Sequence, residues 1–369
     1  NTQLVTAMTD DQVQALTGAQ LKSLTTSNVA ALLTSQVAAL TTAQINELTT
    51  TQIKAVELSD VAALREEQLA NLSTQLLRNM STAQIAALTT SQWATMPSEQ
   101  VAALTTTQIS TLSTDKVQSL HDAQVSSLTT AQLNSLTSTQ LGTLSTEQIQ
   151  LLTTAQVNKL STTKVNLLSS DQVNALTQDQ LGALTTSQVA AIHTNSVASL
   201  VTSSLTELST AQVNALSTDQ VAVLSTDQIR ALSVTQVPAL RDAQIATLNS
   251  SQTRALSAAQ VQALTTTQVQ NLSTTFLTTL QTSQVSQLTS TQVQTLDTTQ
   301  FQSLLTTQVA ALDIAQIGAL TTAQVRALST AQLQAVTDTQ MSAFDTTQVQ
   351  ALSTTQVTRL STSQLVSLP

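Results

Sequence analysis

The stretch LTTAQVRALSTAQLQAV, residues 320–336, contains the same eight-residue phrase twice. A spacing of eight matches neither the helical turn of about 3.6 residues nor the alternation of about two residues in a strand. The local structure is therefore expected to restart in every phrase.

One frame of octads runs through the whole chain. With Thr321 as position 1 and Leu328 as position 8, residues 1–368 form 46 octads without an insertion, and Pro369 follows. Position 8 is always apolar, position 5 is apolar except at Thr253, and position 4 is Gln in 37 octads. Position 4 differs in nine octads, at Leu4, Asn28, Asp60, Leu76, Lys116, Lys164, Ser196, Ser204 and Phe276. The consensus is Ser/Thr-Thr-x-Gln-Val/Ile-x-Ala-Leu.

The first four positions read as the start of a helix. Ser or Thr followed three residues later by Gln is a capping box, in which each side chain bonds the other residue's backbone N–H. An apolar residue before the cap packs on the fourth helical residue as a hydrophobic staple. Leu320, Thr321, Gln324 and Val325 fit both motifs. Each octad is predicted to be a helix of five or six residues, with a bend at the next cap.

Two other architectures compete with this prediction. In one continuous helix an apolar stripe would drift by about 80° per octad, which no coiled coil tolerates. In a β-solenoid the apolar residues would lie at even spacings, but here the spacings are three and five. Thr and Val favour strands, so the β-solenoid remains the alternative.

The charged residues support the helical octad. Helix N-termini favour acids and C-termini favour bases. Of the 21 acidic residues 18 lie at positions 1–3, and eight of the 12 basic residues lie at positions 6 and 7. A β-solenoid gives no reason for this polarity.

Such short helices are unstable alone because nucleation is costly. We therefore expect an all-α solenoid, in which three or four octads form each coil and positions 5 and 8 face a thin core. Residues 1–369 are expected to form a single continuous array, as a fragment of a longer chain or as the subunit of a filament.

Composition narrows the possible partners. The net charge is −9 and no basic run occurs, so nucleic acid is not an expected partner. No apolar run reaches the roughly 20 residues of a membrane span. There is no Cys, which excludes disulfides and thiolate metal sites.

Few side chains suggest chemistry. His121 with Asp122 is a conceivable acid–base or metal pair, but His121 and His193 both occupy position 1 and are read as substituted caps. The large residues Trp93, Phe301, Met341 and Phe344 occupy core positions and are read as core rather than as a sugar-stacking platform. No catalytic, cofactor-binding or metal-binding residue is predicted, no cofactor is expected, and the chain is not expected to be an enzyme.

The phrases LTTAQV, LSTAQV and LTTSQV resemble the octads of long bacterial repeat proteins described as adhesin-like or hemagglutinin-like. The resemblance covers the whole chain and carries over no catalytic residue. It implies a secreted or cell-surface location and a structural or adhesive role.

These observations predict a non-catalytic extracellular structural protein, such as a stalk, a sheath or a filament subunit, that associates with itself end to end or side by side. The alternative is an adhesive or ice-binding module that presents ordered Thr and Ser rows. A surface or glycan ligand is not specified by the sequence.

Overall fold

The computed structural model describes residues 2–369, and every octad in this range forms one short helix. These residues contain 45 α-helices and one 3₁₀ helix, and no β-strand. The all-α prediction is confirmed, and the β-solenoid alternative is not supported.

The chain divides into two compact units, Asn1–Leu184 and Thr185–Pro369. The boundary falls between two octads, so each unit holds 23 of them. The single continuous array remains a prediction.

The helices of the first unit are α1 (Thr2–Thr6), α2 (Asp10–Gln14), α3 (Gly18–Ser23), α4 (Thr26–Ala30), α5 (Thr34–Ala39), α6 (Thr42–Glu47), α7 (Thr50–Ile53), α8 (Leu58–Ala63), α9 (Glu66–Ala70), α10 (Thr74–Asn79), α11 (Thr82–Ala87), α12 (Thr90–Ala94), α13 (Ser98–Ala103), α14 (Thr106–Ser110), α15 (Thr114–Gln118), α16 (Asp122–Ser127), α17 (Thr130–Ser135), α18 (Ser138–Gly142), α19 (Thr146–Gln150), α20 (Thr154–Asn158), α21 (Thr162–Leu167), α22 (Ser170–Asn174) and α23 (Gln178–Ala183).

The helices of the second unit are α24 (Thr186–Ala191), α25 (Thr194–Ser199), α26 (Thr202–Thr206), α27 (Thr210–Ala215), α28 (Thr218–Ala222), α29 (Thr226–Ala231), the 3₁₀ helix η1 (Val237–Ala239), α30 (Asp242–Ala246), α31 (Ser250–Ala255), α32 (Ala258–Gln262), α33 (Thr266–Gln270), α34 (Thr274–Thr279), α35 (Thr282–Val285), α36 (Ser290–Thr295), α37 (Thr298–Ser303), α38 (Thr306–Ala310), α39 (Ile314–Gly318), α40 (Thr322–Ala327), α41 (Thr330–Ala335), α42 (Asp338–Met341), α43 (Thr346–Ala351), α44 (Thr354–Val357) and α45 (Thr362–Val366).

The capping box predicted at Thr321 is present. The Gln324 backbone N–H donates to Thr321 Oγ1 at 3.1 Å, and the Thr321 N–H donates to Gln324 Oε1 at 2.9 Å. Most other octads have the same reciprocal pair. The two backbone N–H groups at the start of the helix have no partner within the helix. The box satisfies both and so stabilises a helix that has only one or two turns.

The bend between octads needs no special residue. Leu328 at position 8 has φ −56° and ψ 128°, and Ser329 at position 1 has φ −64° and ψ 157°. Two consecutive residues near the polyproline region turn the chain away from one helix axis and into the next. Residues 2–369 contain no positive φ, which explains how the fold is built with four glycines.

Pro238 distorts its octad. It occupies position 6, where a proline cannot donate the helical hydrogen bond, and the octad forms η1 instead of an α-helix. The cap pair survives, because the Ser233 N–H donates to Gln236 Oε1 at 2.9 Å and the Gln236 N–H donates to Ser233 Oγ at 3.1 Å.

Within each unit the octads stack as coils of a solenoid. Each helix packs on the helix three octads away, as α13 packs on α10 and on α16, and as α27 packs on α24 and on η1. Side-chain hydrogen bonds also reach four octads back, as from Gln132 to Val101. One coil therefore contains between three and four octads.

The core is as thin as the sequence predicts. Positions 5 and 8 are buried in nearly every octad, positions 1–3 and 6 are mostly exposed, and position 7 is intermediate. Trp93, Phe301 and Met341 are each 0% exposed, and Phe344 is buried as well. Near the N-terminus, Leu16 packs against a buried cluster that includes Leu21, so a position 8 residue and the next position 5 residue share one core.

Candidate functional site

The most regular polar feature is a ladder of buried glutamines at position 4, which we call the glutamine ladder. Its members from Gln36 onwards are buried even though Gln is usually exposed. Gln132 shows the arrangement. Its Oε1 accepts from the Thr129 N–H at 2.8 Å, and its Nε2 donates to the Val101 and Leu104 carbonyls, both at 2.8 Å. One side chain therefore caps its own helix and bonds the coil below.

The same bonds recur along both units. Gln324 Nε2 lies 2.8 Å from both the Val293 and the Leu296 carbonyl oxygens. These acceptors are the position 5 and position 8 carbonyls of the octad four earlier. Position 8 lies outside its helix, so its carbonyl has no helical donor. The ladder satisfies polar groups that the bend between octads would otherwise bury without partners.

Sequence reasoning assigned these glutamines to the cap alone and missed the bonds between coils. A signal was available. A capping box accepts Glu as readily as Gln, yet none of the 46 octads has Glu at position 4. A carboxylate supplies the acceptor for the cap but has no N–H to donate to the coil below. The absence of Glu at position 4 therefore indicates that the side-chain amide of Gln is needed as a hydrogen-bond donor.

Two lysines replace the glutamine and keep only its donor function. Lys116 Nζ donates to the Ala86 carbonyl, and Lys164 Nζ donates to the Leu136 carbonyl. Neither octad has a complete capping box, because an ammonium group cannot accept from the cap N–H. Burial lowers the pKa of Lys116. Leu76 and Phe276 are buried in the same position and offer no polar group.

Pro97 leaves one ladder member incomplete. It occupies the cap position of α13 and has no N–H, so Gln100 Oε1 is buried without a hydrogen-bond partner. The other half of the side chain is normal, since Gln100 Nε2 donates to the Leu69 and Leu72 carbonyls at 2.9 and 2.6 Å.

We expect Pro97→Thr to stabilise the first unit by about 1 kcal/mol. The new N–H satisfies a buried acceptor, which stabilises the folded state by about 1–3 kcal/mol. The loss of proline opposes this by about 0.4–1 kcal/mol, because the unfolded chain gains conformational entropy. Thermal unfolding measures the difference. Thr105→Pro is the matched control, because it removes the N–H that donates to Gln108 Oε1 at 2.8 Å and is expected to destabilise. Equal midpoints for Pro97→Thr and the parent would contradict this account of Gln100.

The hydroxyl groups at positions 1 and 2 differ in whether they take part in the capping box. The position 1 hydroxyl is held by the cap, as in Thr321. Position 2 is Thr in 30 octads, and Thr322 is an exposed example that does not take part in its box. An octad with both residues, such as that of Thr321, therefore carries one hydroxyl that the cap holds and one that the cap does not use.

The two histidines, His121 and His193, do not form part of a cluster of metal-binding side chains among the described residues. His121 and His193 are both exposed cap residues. His193 Nδ1 accepts from the Asn195 N–H at 3.2 Å, and the His121 N–H donates to Gln124 Oε1 at 3.0 Å. Within residues 2–369 no group of three or more His, Cys, Asp or Glu side chains is placed to hold a metal ion.

Exposed carboxylates act as caps. Asp345 Oδ1 accepts from the Thr347 hydroxyl at 2.6 Å and from the Gln348 N–H at 2.7 Å. These hydrogen bonds, the one from Thr347 foremost, lower the pKa of Asp345. Hydrogen bonds to the backbone and to Ser145 and Thr146 similarly lower the pKa of Glu147. Both carboxylates belong to helix starts.

Comparison with known protein families gives a match to the ALTTAQ repeat. The match recurs six times, over residues 61–98, 128–162, 154–186, 189–226, 237–274 and 309–354, and these segments together cover more than half of the chain. The chain belongs to the ALTTAQ repeat family. Both units contain ALTTAQ segments, which confirms the prediction of a repeat protein. A comparison with curated proteins gives no match.

The ALTTAQ chain has no membrane-spanning helix in the part that the structure describes, since none of its helices is long and apolar enough.

Proposed function

We propose that this ALTTAQ protein is a non-catalytic structural protein, located outside the cell or on its surface as a stalk, sheath or filament subunit. The observation that carries the proposal is the glutamine ladder, which joins coil to coil in the same way in most octads of each unit. A repeated link of this kind supports an architecture that lengthens by adding coils. The extracellular location rests on the resemblance to adhesin-like bacterial repeats and on the hydroxyl-rich surface.

The ladder also gives every coil a direction. The side that faces the earlier coil carries amide donors, and the side that faces the later coil carries carbonyl acceptors. The Gln12 and Gln20 side chains are exposed, so their amides are examples of such donors. We propose that copies associate end to end by pairing such donors with such acceptors. A head-to-tail contact of this kind does not close and builds filaments.

Light scattering and electron microscopy of the purified chain test this assembly. We expect oligomers that grow with concentration and thin fibres. The double variant Gln12→Glu, Gln20→Glu keeps the cap acceptors but replaces the amide donors with carboxylate oxygens, so it is expected to remain monomeric. Gln14→Glu adds a charge at exposed position 6 of the same region and is expected to assemble normally. Monomers of the parent at high concentration would contradict the proposal.

The second candidate is an adhesive or ice-binding module, and the exposed Thr at position 2 favours it. Regular hydroxyls that the caps do not use are available to a carbohydrate or to an ice lattice. A glycan array and an ice-recrystallisation assay distinguish the two functions. A stalk or sheath is expected to give no signal in either assay, and specific binding in one of them would replace the structural proposal with this candidate.

A further inference from the structure

Asp60 occupies the position 4 slot of α8, where the ladder otherwise places an amide donor. In the octads on either side, Gln52 Nε2 donates to the Leu21 and Leu24 carbonyls, both at 2.8 Å, and Gln68 Nε2 donates to the Val37 and Leu40 carbonyls at 3.1 and 2.7 Å. By the same register, we expect the slot of Asp60 to lie opposite the Val29 and Leu32 carbonyls. The slot therefore places a carboxylate opposite two acceptors.

The Asp60 carboxylate is buried without a cationic partner. Asp60 is 3% exposed. Its Oδ1 accepts from the Thr34 hydroxyl at 2.8 Å and from the Ser59 hydroxyl at 3.4 Å. The ion pairs Lys22–Glu47 and Arg230–Asp227 do not include Asp60. The Leu32 carbonyl receives no donor from the described residues. Buried carboxylates in proteins are usually paired or coordinate a metal ion.

The dimensions of the slot fit a cation. Aspartate is one methylene shorter than glutamine, so its oxygens lie farther from the facing carbonyls by up to about 1.5 Å, one C–C bond length. Added to a ladder distance of 2.7 Å, as at Leu40, this gives an oxygen–oxygen separation of about 4 Å. Two oxygens that share a Ca²⁺ ion at about 2.3–2.6 Å each are separated by a similar distance.

We propose that Asp60, the Thr34 hydroxyl and the Val29 and Leu32 carbonyls bind a hard divalent cation, Ca²⁺. The four groups supply oxygen ligands only, which Ca²⁺ prefers, and water completes the coordination. The ion joins α8 to the octad of α4 below it, as the amide of a glutamine does elsewhere. The ligands are about 30 residues apart in the sequence and include one acidic side chain, so no motif predicted the site. This inference is independent of the proposed function.

Trp93, the single tryptophan, provides a probe of the site. It is buried on the coil above, and its neighbour Gln92 donates to the Val61 and Leu64 carbonyls at 3.1 and 2.6 Å, in the same octad as Asp60. A Tb³⁺ ion in the slot therefore lies close enough to receive excitation energy from the indole.

The experiment excites Trp93 while Tb³⁺ is added to the full chain. We expect sensitised Tb³⁺ emission that saturates at one ion per chain and is abolished by excess Ca²⁺, and a rise in Tm of the parent on addition of Ca²⁺. Asp60→Gln restores the family residue and the ladder bonds, so it is expected to fold, to give no emission and to show no Ca²⁺-dependent rise in Tm.

Asp122→Asn is the matched control. Asp122 is an exposed carboxylate in the octad above Trp93, where Gln124 Nε2 donates to the Trp93 carbonyl at 3.0 Å, and this variant is expected to keep both signals. Absence of emission from the parent, or equal emission from Asp60→Gln, would overturn the proposal. A third outcome would also overturn it: Asp60→Gln is more stable than the parent, but Ca²⁺ changes the Tm of neither protein. The Asp60 carboxyl would then be protonated or hydrated instead of bound to a metal ion.

Discussion

Gln132→Glu is expected to unfold the coils around octad 17 more readily than any other single substitution of similar size. The new side chain still accepts from the Thr129 N–H, so the helix start is preserved. It cannot donate to the Val101 and Leu104 carbonyls, and it places a buried charge against two acceptors. A buried charge without a partner costs about 3–5 kcal/mol, whereas the change in volume is negligible.

The loss is expected to depend on pH. Burial and the facing carbonyls raise the folded-state pKa of the introduced carboxyl above its unfolded value of about 4.3. A raised folded-state pKa means that the folded state binds more protons. The destabilisation is therefore small below the unfolded pKa, grows as pH rises towards the folded pKa, and is complete above it. Protonated, the carboxyl has one O–H to donate and replaces part of the amide function.

Hydrogen exchange followed by mass spectrometry is the suitable measurement, because repeat arrays need not unfold in two states. We expect faster exchange confined to the octads of Gln132, Val101 and their neighbours, with recovery under acidic conditions after correction for the intrinsic rate. Gln150→Glu makes the same chemical change at an exposed position 6 and is expected to leave exchange unaltered. If both variants behaved alike, the glutamine would act only as a cap.

Val325→Asp is expected to have the second largest effect. Val325 is 0% exposed and lies at position 5 in the core. An aspartate there loses the buried apolar contacts and leaves a carboxylate without a partner, so we expect a cost of at least about 3 kcal/mol. Thr321→Ala, which removes only the cap hydroxyl of the same octad, is expected to cost about 0.5–2 kcal/mol.

Ala323→Asp controls for the introduction of the charge. Ala323 is exposed at position 3 of the same octad, where many octads have an acid and where the helix N-terminus favours one by about 0.3–1 kcal/mol. We expect this variant to be as stable as the parent or slightly more stable in thermal and denaturant unfolding. Equally mild effects of Val325→Asp and Ala323→Asp would contradict the burial of position 5.

The local structure was predictable from sequence because its determinants lie within a few residues of each other. Thr321 and Gln324 are three residues apart, and their pairing needs only the helix that they begin. The apolar positions 5 and 8 likewise define the buried face of a short helix. Once each octad is a helix too short to be stable alone, stacking is required, and a solenoid follows.

The contacts between coils were not predictable in the same way. The bonds from Gln132 span 31 and 28 residues, so they appear only when the number of octads per coil is known, and the sequence repeat does not contain that number. The slot of Asp60 depends on the same register. The conformation of the bend between octads was also not predictable. It consists of two ordinary residues in extended conformation, so no glycine or proline in the sequence indicates it.

Far-ultraviolet circular dichroism of the purified chain tests the central claim most directly, that each octad is a capped helix. The account predicts the pair of negative bands typical of α-helix, lost together on unfolding, with a reduced amplitude because the helices are short. A spectrum with the single negative band of β-structure would contradict the capping box, the glutamine ladder and the solenoid built from them.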